Sequence, residues 1–527
     1  MRYNAEIWAD RFSRTTCIVL GVLLVGASML ALSVLFGGAG QFFGHDIKFY
    51  GITDMRLHLL TGALCVLPWV VLVVAVAKIP EAVRRFRNSA WFNICFVFLV
   101  AMSVRLVFLY FSGRGTVQFS DNQVAWNMAT GHIYHDSYIL WVPRWMNYVL
   151  ILRWVSQLLE TESAVVAMFG VVCSSVTAVA VFLLGRELSG NMFRARFAAV
   201  AYALFPSCIA YSAVCTPEHP AGMCFAGTFF CLVRMSRCET AGRSVAWAVA
   251  AGVLLGMGHS VKPLAPLFIG AFAVVQCFRL AGCAIRCWKM PLVLLVLVAG
   301  IQFVLSRGMI RLAEREFNVS LMDKQSSVHM FVVGLNRQGE GQIHLGDISR
   351  TVPRLMACGA TFEEANHAGL RTLLNDWRGH ASEIPSFFAM KAIWAWQDFN
   401  TPFLHLSWLH GGGDRTELTM PYVPKFMPAA NQLLYVLLLL AAAVSVFVDG
   451  LANRLTTLRF VVLVVLGYFC VSMIIEGQSR YKYLVLPYLF VLASPVLRLS
   501  NFRCPTPYGT GNVSSLGAEL APNTKKG

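Results

Sequence analysis

The sequence predicts an all-α polytopic membrane protein: a bundle of about 12 transmembrane helices, short amphipathic helices in the first outer loop, and a small extracytoplasmic subdomain. Three observations predict it. The 527 residues are 57% hydrophobic and only 13% charged, with a mean hydropathy of +0.61. Ordinary soluble domains carry about 25% charged residues, so a soluble enzyme, a disordered chain and a coiled coil are all excluded. Apolar runs recur at close to the roughly 20 residues that a hydrocarbon core of about 30 Å needs. Lys and Arg gather in short clusters between those runs, which marks a cytoplasmic side.

The runs follow in order. The first, Cys17–Phe36, comes after Arg2, Arg11 and Arg14. It is long for a signal sequence and lacks a small-residue cleavage site, so it is read as a retained helix. The second, His58–Ala77, ends in Lys78, Arg84, Arg85 and Arg87, and the third is Ala90–Phe111. Ser163–Gly185, Phe197–Val214, Pro220–Val233, Ser244–Met257, Pro263–Phe278 and Met290–Leu305 come next. Pro428–Val448, Phe460–Ile475 and Tyr483–Leu497 complete the set. Pro220–Val233 and Ser244–Met257 are short; they are either extended at their ends or partly re-entrant.

Alternating these runs from a cytoplasmic N-terminus puts 22 Lys and Arg on the cytoplasmic side and 5 in the four short outer turns. The inverted topology would break the positive-inside rule. Both termini are then cytoplasmic. Both long polar segments, about Ser112–Glu162 and Ser306–Met427, are extracytoplasmic. The domain reading is a two-helix membrane extension (1–89), a core (90–305) with a catalytic first outer loop (112–162), an extracytoplasmic segment (306–427), C-terminal transmembrane helices (428–500) and a disordered tail (501–527). The 306–427 segment balances 12 basic against 12 acidic residues and is either a folded lid or a spacer with amphipathic surface helices.

The net charge of +16 sits in membrane-flanking clusters, with no basic helix or aromatic strand motif, so nucleic acid is not an expected partner. None of the 15 cysteines forms a CxxC pair. Cys215 and Cys358 are the two placed outside, and a single bridge between them is the only disulfide the topology leaves open.

Polar residues capable of chemistry gather at the outer helix ends. In the first outer segment, Val124, Ala125, Met128 and Ala129 fall at helical spacing, so a short helix starts just after Asp121. Ser120 or Asp121 is its N-cap and Gly131 its stop. Trp141, Pro143, Arg144, Trp145 and Tyr148 follow as an aromatic strip suited to the headgroup layer, where Arg144 either meets a lipid phosphate or snorkels. The second outer turn carries Glu218 and His219, the third His259 and Lys262, and the last Arg480, Tyr481 and Lys482. Each charge taken alone reads first as a solvated loop residue. Brought together, a carboxylate can deprotonate an acceptor and cations can stabilise a departing phosphate. His132, His135 and Asp136 have metal-like spacing, but three ligands on one loop are weak evidence and no metal site is assigned.

At these positions the chain resembles the GT-C membrane glycosyltransferases, specifically the family-39-like group that includes protein O-mannosyltransferases and the aminoarabinose transferase of lipid A. Asp121 to Gly131 is similar to that group's first-loop motif, and Gly185–Gly190 with Arg194 to Pro206 to its cytoplasmic turn and third core helix. Thr216–Pro220 resembles the second acidic loop. Ala251–Gly256 through Lys262-Pro263 resembles the "GL…LTKP" segment. Glu476–Tyr481 with Pro487 resembles an "E-x-Q-x-R-Y…P" motif of Gram-positive members, and the stretch Gly334–Gly341 with Asp347 also looks like those bacterial relatives. Asn122 stands where an acid is common, and Val142-Pro143-Arg144 replaces a Lys-Pro-Pro element.

The resemblance implies a GT-C-type bundle that transfers a sugar from a polyprenyl-phosphate-linked donor to an extracytoplasmic protein or cell-envelope glycan. It implies Asp121 as general base with inversion, and Glu218 as a second catalytic carboxylate. Lys262, Arg480, Arg144 and Lys482 would hold the donor phosphate. Asn122, His219, His259 and Tyr481 would touch sugar or acceptor. No cofactor is required beyond the donor itself. The competing reading is a transporter or flippase of lipid-linked sugars. Against it, Arg105 is nearly alone as a mid-span ionisable group, and no repeat relates the two halves.

Overall fold

A computed structural model describes residues 2–36, 41–42, 45–46, 55–83, 88–111, 120–132, 143–159, 163–238, 240–281, 289–321, 328–337, 354–398, 427–451, 458–476 and 479–495. Apart from a two-residue antiparallel ladder pairing Gln41 with Asp46 and Phe42 with His45, the described elements are helices. They are α1 (Arg2–Phe36), α2 (Met55–Ala82), α3 (Ala90–Phe111), α4 (Ser120–Ala129), α5 (Pro143–Leu159), α6 (Ser163–Ser189), α7 (Met192–Ala203), α8 (Pro206–Ser212) and α9 (Glu218–Met235). Then come α10 (Ala241–Val261), α11 (Ala265–Ala281), α12 (Lys289–Phe317), α13 (His329–Gly334), α14 (Phe362–Gly379), α15 (Ile384–Trp396), α16 (Met427–Leu451), α17 (Leu458–Ile474) and α18 (Leu486–Ala493). A 3-10 turn, Ser479–Leu484, precedes α18.

Ten of the twelve predicted apolar runs each fall on one helix; the last, Tyr483–Leu497, is in its described part the end of a 3-10 turn and the eight-residue α18. Among the described residues, seven helices are long and apolar enough to cross a membrane, and the bent pair α7–α8 makes an eighth. Ala265–Cys277 and Phe460–Ile474 are shorter apolar helices. The two runs that looked short are extended at their ends, as α9 and α10. The predicted run Phe197–Val214 is not one straight helix: α7 and α8 meet at 55°. Pro206 has no N–H for the carbonyl one turn back, and it forces Phe205 into extended backbone (φ −71, ψ 123).

One core joins the first two helices to the rest. Leu20 and Leu24 of α1 and Val73 of α2 are buried with Leu439 and Ala443 of α16. Gly21 lies under the Phe447 ring, and Gly62 against the Ala430 backbone. On α10, Gly252 and Gly256, four apart, let α12 approach until their hydrogens face Ile301 and Leu305. Large apolar side chains such as Trp91, Leu99 and Val107 are exposed along α3, as a lipid-facing stripe requires.

The mid-span Arg105 is fully buried. Its Nε donates to Ser174 Oγ at 2.9 Å, and Nη1 to the Ala101 and Ala203 carbonyls at 3.1 and 3.0 Å. It ties α3 to α6 and α7. Cys215 and Cys358 are both free: Cys215 is buried beside the Tyr148 hydroxyl and Cys358 is exposed, so the bridge left open by the sequence is absent.

α12 continues past the predicted end at Leu305 to Phe317, because the extension is amphipathic rather than apolar. The described part of the 306–427 segment is folded. Val332, Phe362, Ala365 and Leu373 form a second small core. α14 opens with a capping box between Thr361 and Glu364. Arg337 spans Asp376 through two bonds of 2.9 and 3.1 Å and reaches Glu383 at 2.7 Å. Gly334 packs against the backbone of Ile474 and Ile475, leaving no room for a side chain, and Lys391 donates to the Gly334 carbonyl. This helical unit is therefore docked on the end of α17.

Candidate active site

Lys262 is the meeting point. It follows α10 as its C-cap, where Pro263 ends the helix. Glu218 opens α9, a position where a helix N-terminus favours negative charge. The Lys262 Nζ lies 2.6 Å from Glu218 Oε1, and the Thr216 hydroxyl donates to the other carboxylate oxygen. The face of Tyr481 lies 4.8 Å from Nζ and the Trp145 ring 5.9 Å. Arg480 stands over the same Tyr481 ring at 5.4 Å, and the Tyr481 hydroxyl donates to Glu476 Oε2 at 2.8 Å.

α5 clamps both turns. Its Asn147 amide donates to the Ser260 carbonyl at 2.7 Å, and its Tyr148 hydroxyl meets Cys215 Sγ at 2.9 Å. Four stretches distant in sequence thus converge: the first outer segment, the 215–219 turn, the 258–263 turn and the 476–484 stretch. Aromatic faces around a cation add attraction and exclude water.

Electrostatics at these helix ends separate the roles. Burial alone would raise the Glu218 carboxyl, but the Lys262 and Arg480 charges outweigh it and hold it down at about 2. Burial lowers the Lys262 ammonium and Glu218 pulls it back up, leaving it below its ordinary value. Glu218 is consequently a fixed anion and a poor base. Burial lowers the Arg144 guanidinium to about 10.

Asp121 lies in the first turn of α4. That corrects the expectation of a helix starting after it: α4 begins at Ser120, so neither Ser120 nor Asp121 is the residue preceding the helix. The Asp121 side chain falls outside the described residues. Gly131 does stop α4, at φ +81, with His132 N bonding back to the Asn127 carbonyl at 2.8 Å. α4 packs on α5, the helix that carries Trp145. Asn122 is buried, and its Oδ1 has no hydrogen-bond partner among the described residues.

Arg144 is the second residue of α5, within electrostatic reach of His259. His259 Nδ1 accepts from Ala265 N at 3.2 Å and so caps the start of α11. His219 Nε2 bonds the Tyr211 carbonyl at 2.9 Å, and burial lowers its imidazole to about 4. Both histidines are engaged with backbone. Lys482 is engaged elsewhere: it is buried against Asp398, with Nζ 2.8 Å from Oδ1, and donates to the Gln397 carbonyl. His132 bonds Thr130 Oγ1 at 2.7 Å, while His135 and Asp136 lie outside the described residues. Among the described residues no group of three His, Cys, Asp or Glu side chains could hold a metal.

The sequence reading missed Thr216, Asn147 and Asp398 as site-shaping residues. Thr216 was legible, since it precedes Glu218 in a tight turn. Asp398 was not, because its partners are up to 191 positions away.

Residues 146–307 match the family model described as dolichyl-phosphate-mannose-protein mannosyltransferase. The match covers under a third of the chain. It contains Glu218 and Lys262 and lies between Asp121 and Arg480. Among solved structures, ArnT from Cupriavidus metallidurans bound to undecaprenyl phosphate is similar at 12% identity and a TM-score of 0.33, over 76% of this chain and 78% of that one. No curated protein matches the chain.

Proposed function

We propose that this protein is an integral membrane glycosyltransferase that takes a sugar from a polyprenyl-phosphate-linked donor and passes it to an extracytoplasmic protein or envelope glycan. The observation that carries the proposal is the convergence of Lys262, Arg480 and Glu218 beneath the aromatic faces of Trp145 and Tyr481. The reaction develops negative charge on the departing lipid phosphate, and two cations in a water-poor setting stabilise that charge where it forms.

The roles divide as follows. Lys262 and Arg480 hold the phosphate, with Arg144 approaching from α5. Glu218 occupies one of the three Lys262 N–H donors and fixes the ammonium, leaving two to meet phosphate oxygens. Asp121 is the general base: it takes the proton from the acceptor hydroxyl as that oxygen attacks the anomeric carbon, and the carbon–phosphate-oxygen bond breaks on the opposite face, with inversion. Asn122 and Tyr481 face sugar or acceptor. We leave Lys482 out of the phosphate set, because Asp398 already matches its charge. His219 and His259 shape the turns. The helices flank a core at 90–305, with the 306–427 unit over its extracytoplasmic side and both termini cytoplasmic.

The experiment is transfer by an Asp121→Asn variant in membranes, with insertion and level matched to wild type. Loss of transfer by two or more orders of magnitude is expected for removal of a general base, worth about 10²–10⁴-fold. Wild-type transfer would remove Asp121 from the mechanism.

A further inference from the structure

A second buried ion pair lies behind the first. Asp398 and Lys482 are both fully buried, and the carboxylate is saturated. Ser207 Oγ donates to Asp398 Oδ2 at 2.6 Å, Asn431 Nδ2 to the same oxygen at 2.9 Å, and the Tyr483 hydroxyl to Oδ1 at 3.1 Å. The Asp398 N–H donates to Gln432 Oε1 at 2.6 Å, and Asn431 Nδ2 reaches the Asp398 carbonyl at 2.7 Å. The pair therefore joins the end of α15, the start of α8, α16 and the Ser479–Leu484 turn. A well-packed apolar cluster would stabilise the fold as well or better, so stability alone is a poor account of it; fixing register is the better-attested use of such a pair.

Two routes lead from this pair to Lys262. Lys482 sits in the same 3-10 turn as Arg480 and Tyr481, whose rings and charges face Lys262. A slip of that turn moves both. The other route runs through rings. Tyr483 stacks on Tyr211, with centroids 4.4 Å apart and planes at 26°. The Tyr211 hydroxyl meets Thr216 Oγ1 at 3.3 Å, and Thr216 bonds Glu218, which grips Lys262. Tyr211, Tyr483, Glu218 and His219 also line one small cavity.

We propose that Asp398 and Lys482 are positioning residues: their ion pair sets the register of the Ser479–Leu484 turn and, through the Tyr483–Tyr211 stack, the orientation of Glu218 and Lys262. The consequence for phosphate binding rests on the function proposed above; the coupling between the two ion pairs does not.

The test uses the full chain in detergent or nanodiscs. Asp398→Asn/Lys482→Met removes both charges while Asn keeps hydrogen-bonding capacity for Ser207 and Asn431. Tyr483→Leu cuts the ring route separately. The readout is the rate at which an amine-reactive acetylating reagent modifies Lys262, followed by mass spectrometry, beside the melting temperature and the binding of a polyprenyl phosphate. Lys262 labelling should rise by about twofold or more in each variant, the low end for residues coupled in one network, even where melting matches wild type. Polyprenyl phosphate should bind correspondingly more weakly. Unchanged labelling in both variants overturns the proposal. A wild-type chain that fails to bind polyprenyl phosphate would overturn the proposed function instead, while labelling still decides the coupling.

Discussion

Replacing Lys262 by Met removes the cation that touches Glu218, Trp145 and Tyr481 together. At 2.6 Å, the pair attracts with about 6 kcal/mol at an effective dielectric of about 20. Desolvation of both ions takes back much of that, and truncating one partner of a buried pair costs about 3–5 kcal/mol. Here the loss should fall near the bottom of that range. Arg480 still faces Glu218, and the carboxyl, released from about 2, can rise and take up a proton. For the carrier phosphate, Lys262 supplies a charge-assisted hydrogen bond of about 1.5–3 kcal/mol, so affinity should fall roughly 10- to 150-fold. The assay is binding of a polyprenyl phosphate to purified chain, beside thermal unfolding. Lys262→Met/Glu218→Gln should recover most of the stability, because no buried charge is stranded, and none of the affinity. Wild-type affinity in Lys262→Met, or recovery of affinity in the double variant, would refute the reasoning.

Three further outcomes follow from the geometry. Glu218 has a depressed folded-state pKa, so its stabilisation is present above about 4.5 and lost only as pH falls through about 2. Any acid limb of transfer above about pH 4.5 should therefore survive in Glu218→Gln, and its disappearance would contradict Glu218 as a permanent anion. Burial lowers the Lys391 ammonium to about 7 from 10.5, so the unfolded chain binds the extra proton between those values. Stability should then rise with pH across that window by up to about 1.4 kcal/mol per unit, and Lys391→Met should flatten the slope in a melting series; an unchanged slope counts against it. Gly334→Ala puts a methyl into the Ile474–Ile475 backbone and should cost about 1–3 kcal/mol of docking, seen as faster hydrogen exchange over 329–337 with the transmembrane helices unaffected. Unchanged exchange there would mean the unit is not held by that contact.

Much of the fold was legible because lipid imposes one rule on every span. Ten of the twelve predicted runs each fall on one helix, and Gly131 ends α4 as its sequence position suggested. The misreadings have local causes. Hydropathy carried the fifth run straight through Pro206, although that proline already signalled a break. Hydropathy also stopped α12 at Leu305, because an amphipathic extension bearing Arg307, Arg311 and Arg315 has no apolar average to detect.

The candidate site was legible as residue types at helix ends, and the Lys262–Glu218–Arg480 set does meet. Lys482 shows the boundary of such reading. Two residues from Arg480 in sequence, it is committed to Asp398, whose other partners Ser207 and Asn431 come from helices that no motif connects. Only packing decides which of two neighbouring cations faces a ligand.

The central claim is tested most directly by an experimental structure of the full chain with a polyprenyl phosphate bound. The account predicts the phosphate within hydrogen-bond reach of Lys262 Nζ and the Arg480 guanidinium, with the Asp121 carboxylate opening onto the same space. A phosphate seated elsewhere, or Asp121 on the far side of the bundle from Lys262, would contradict it.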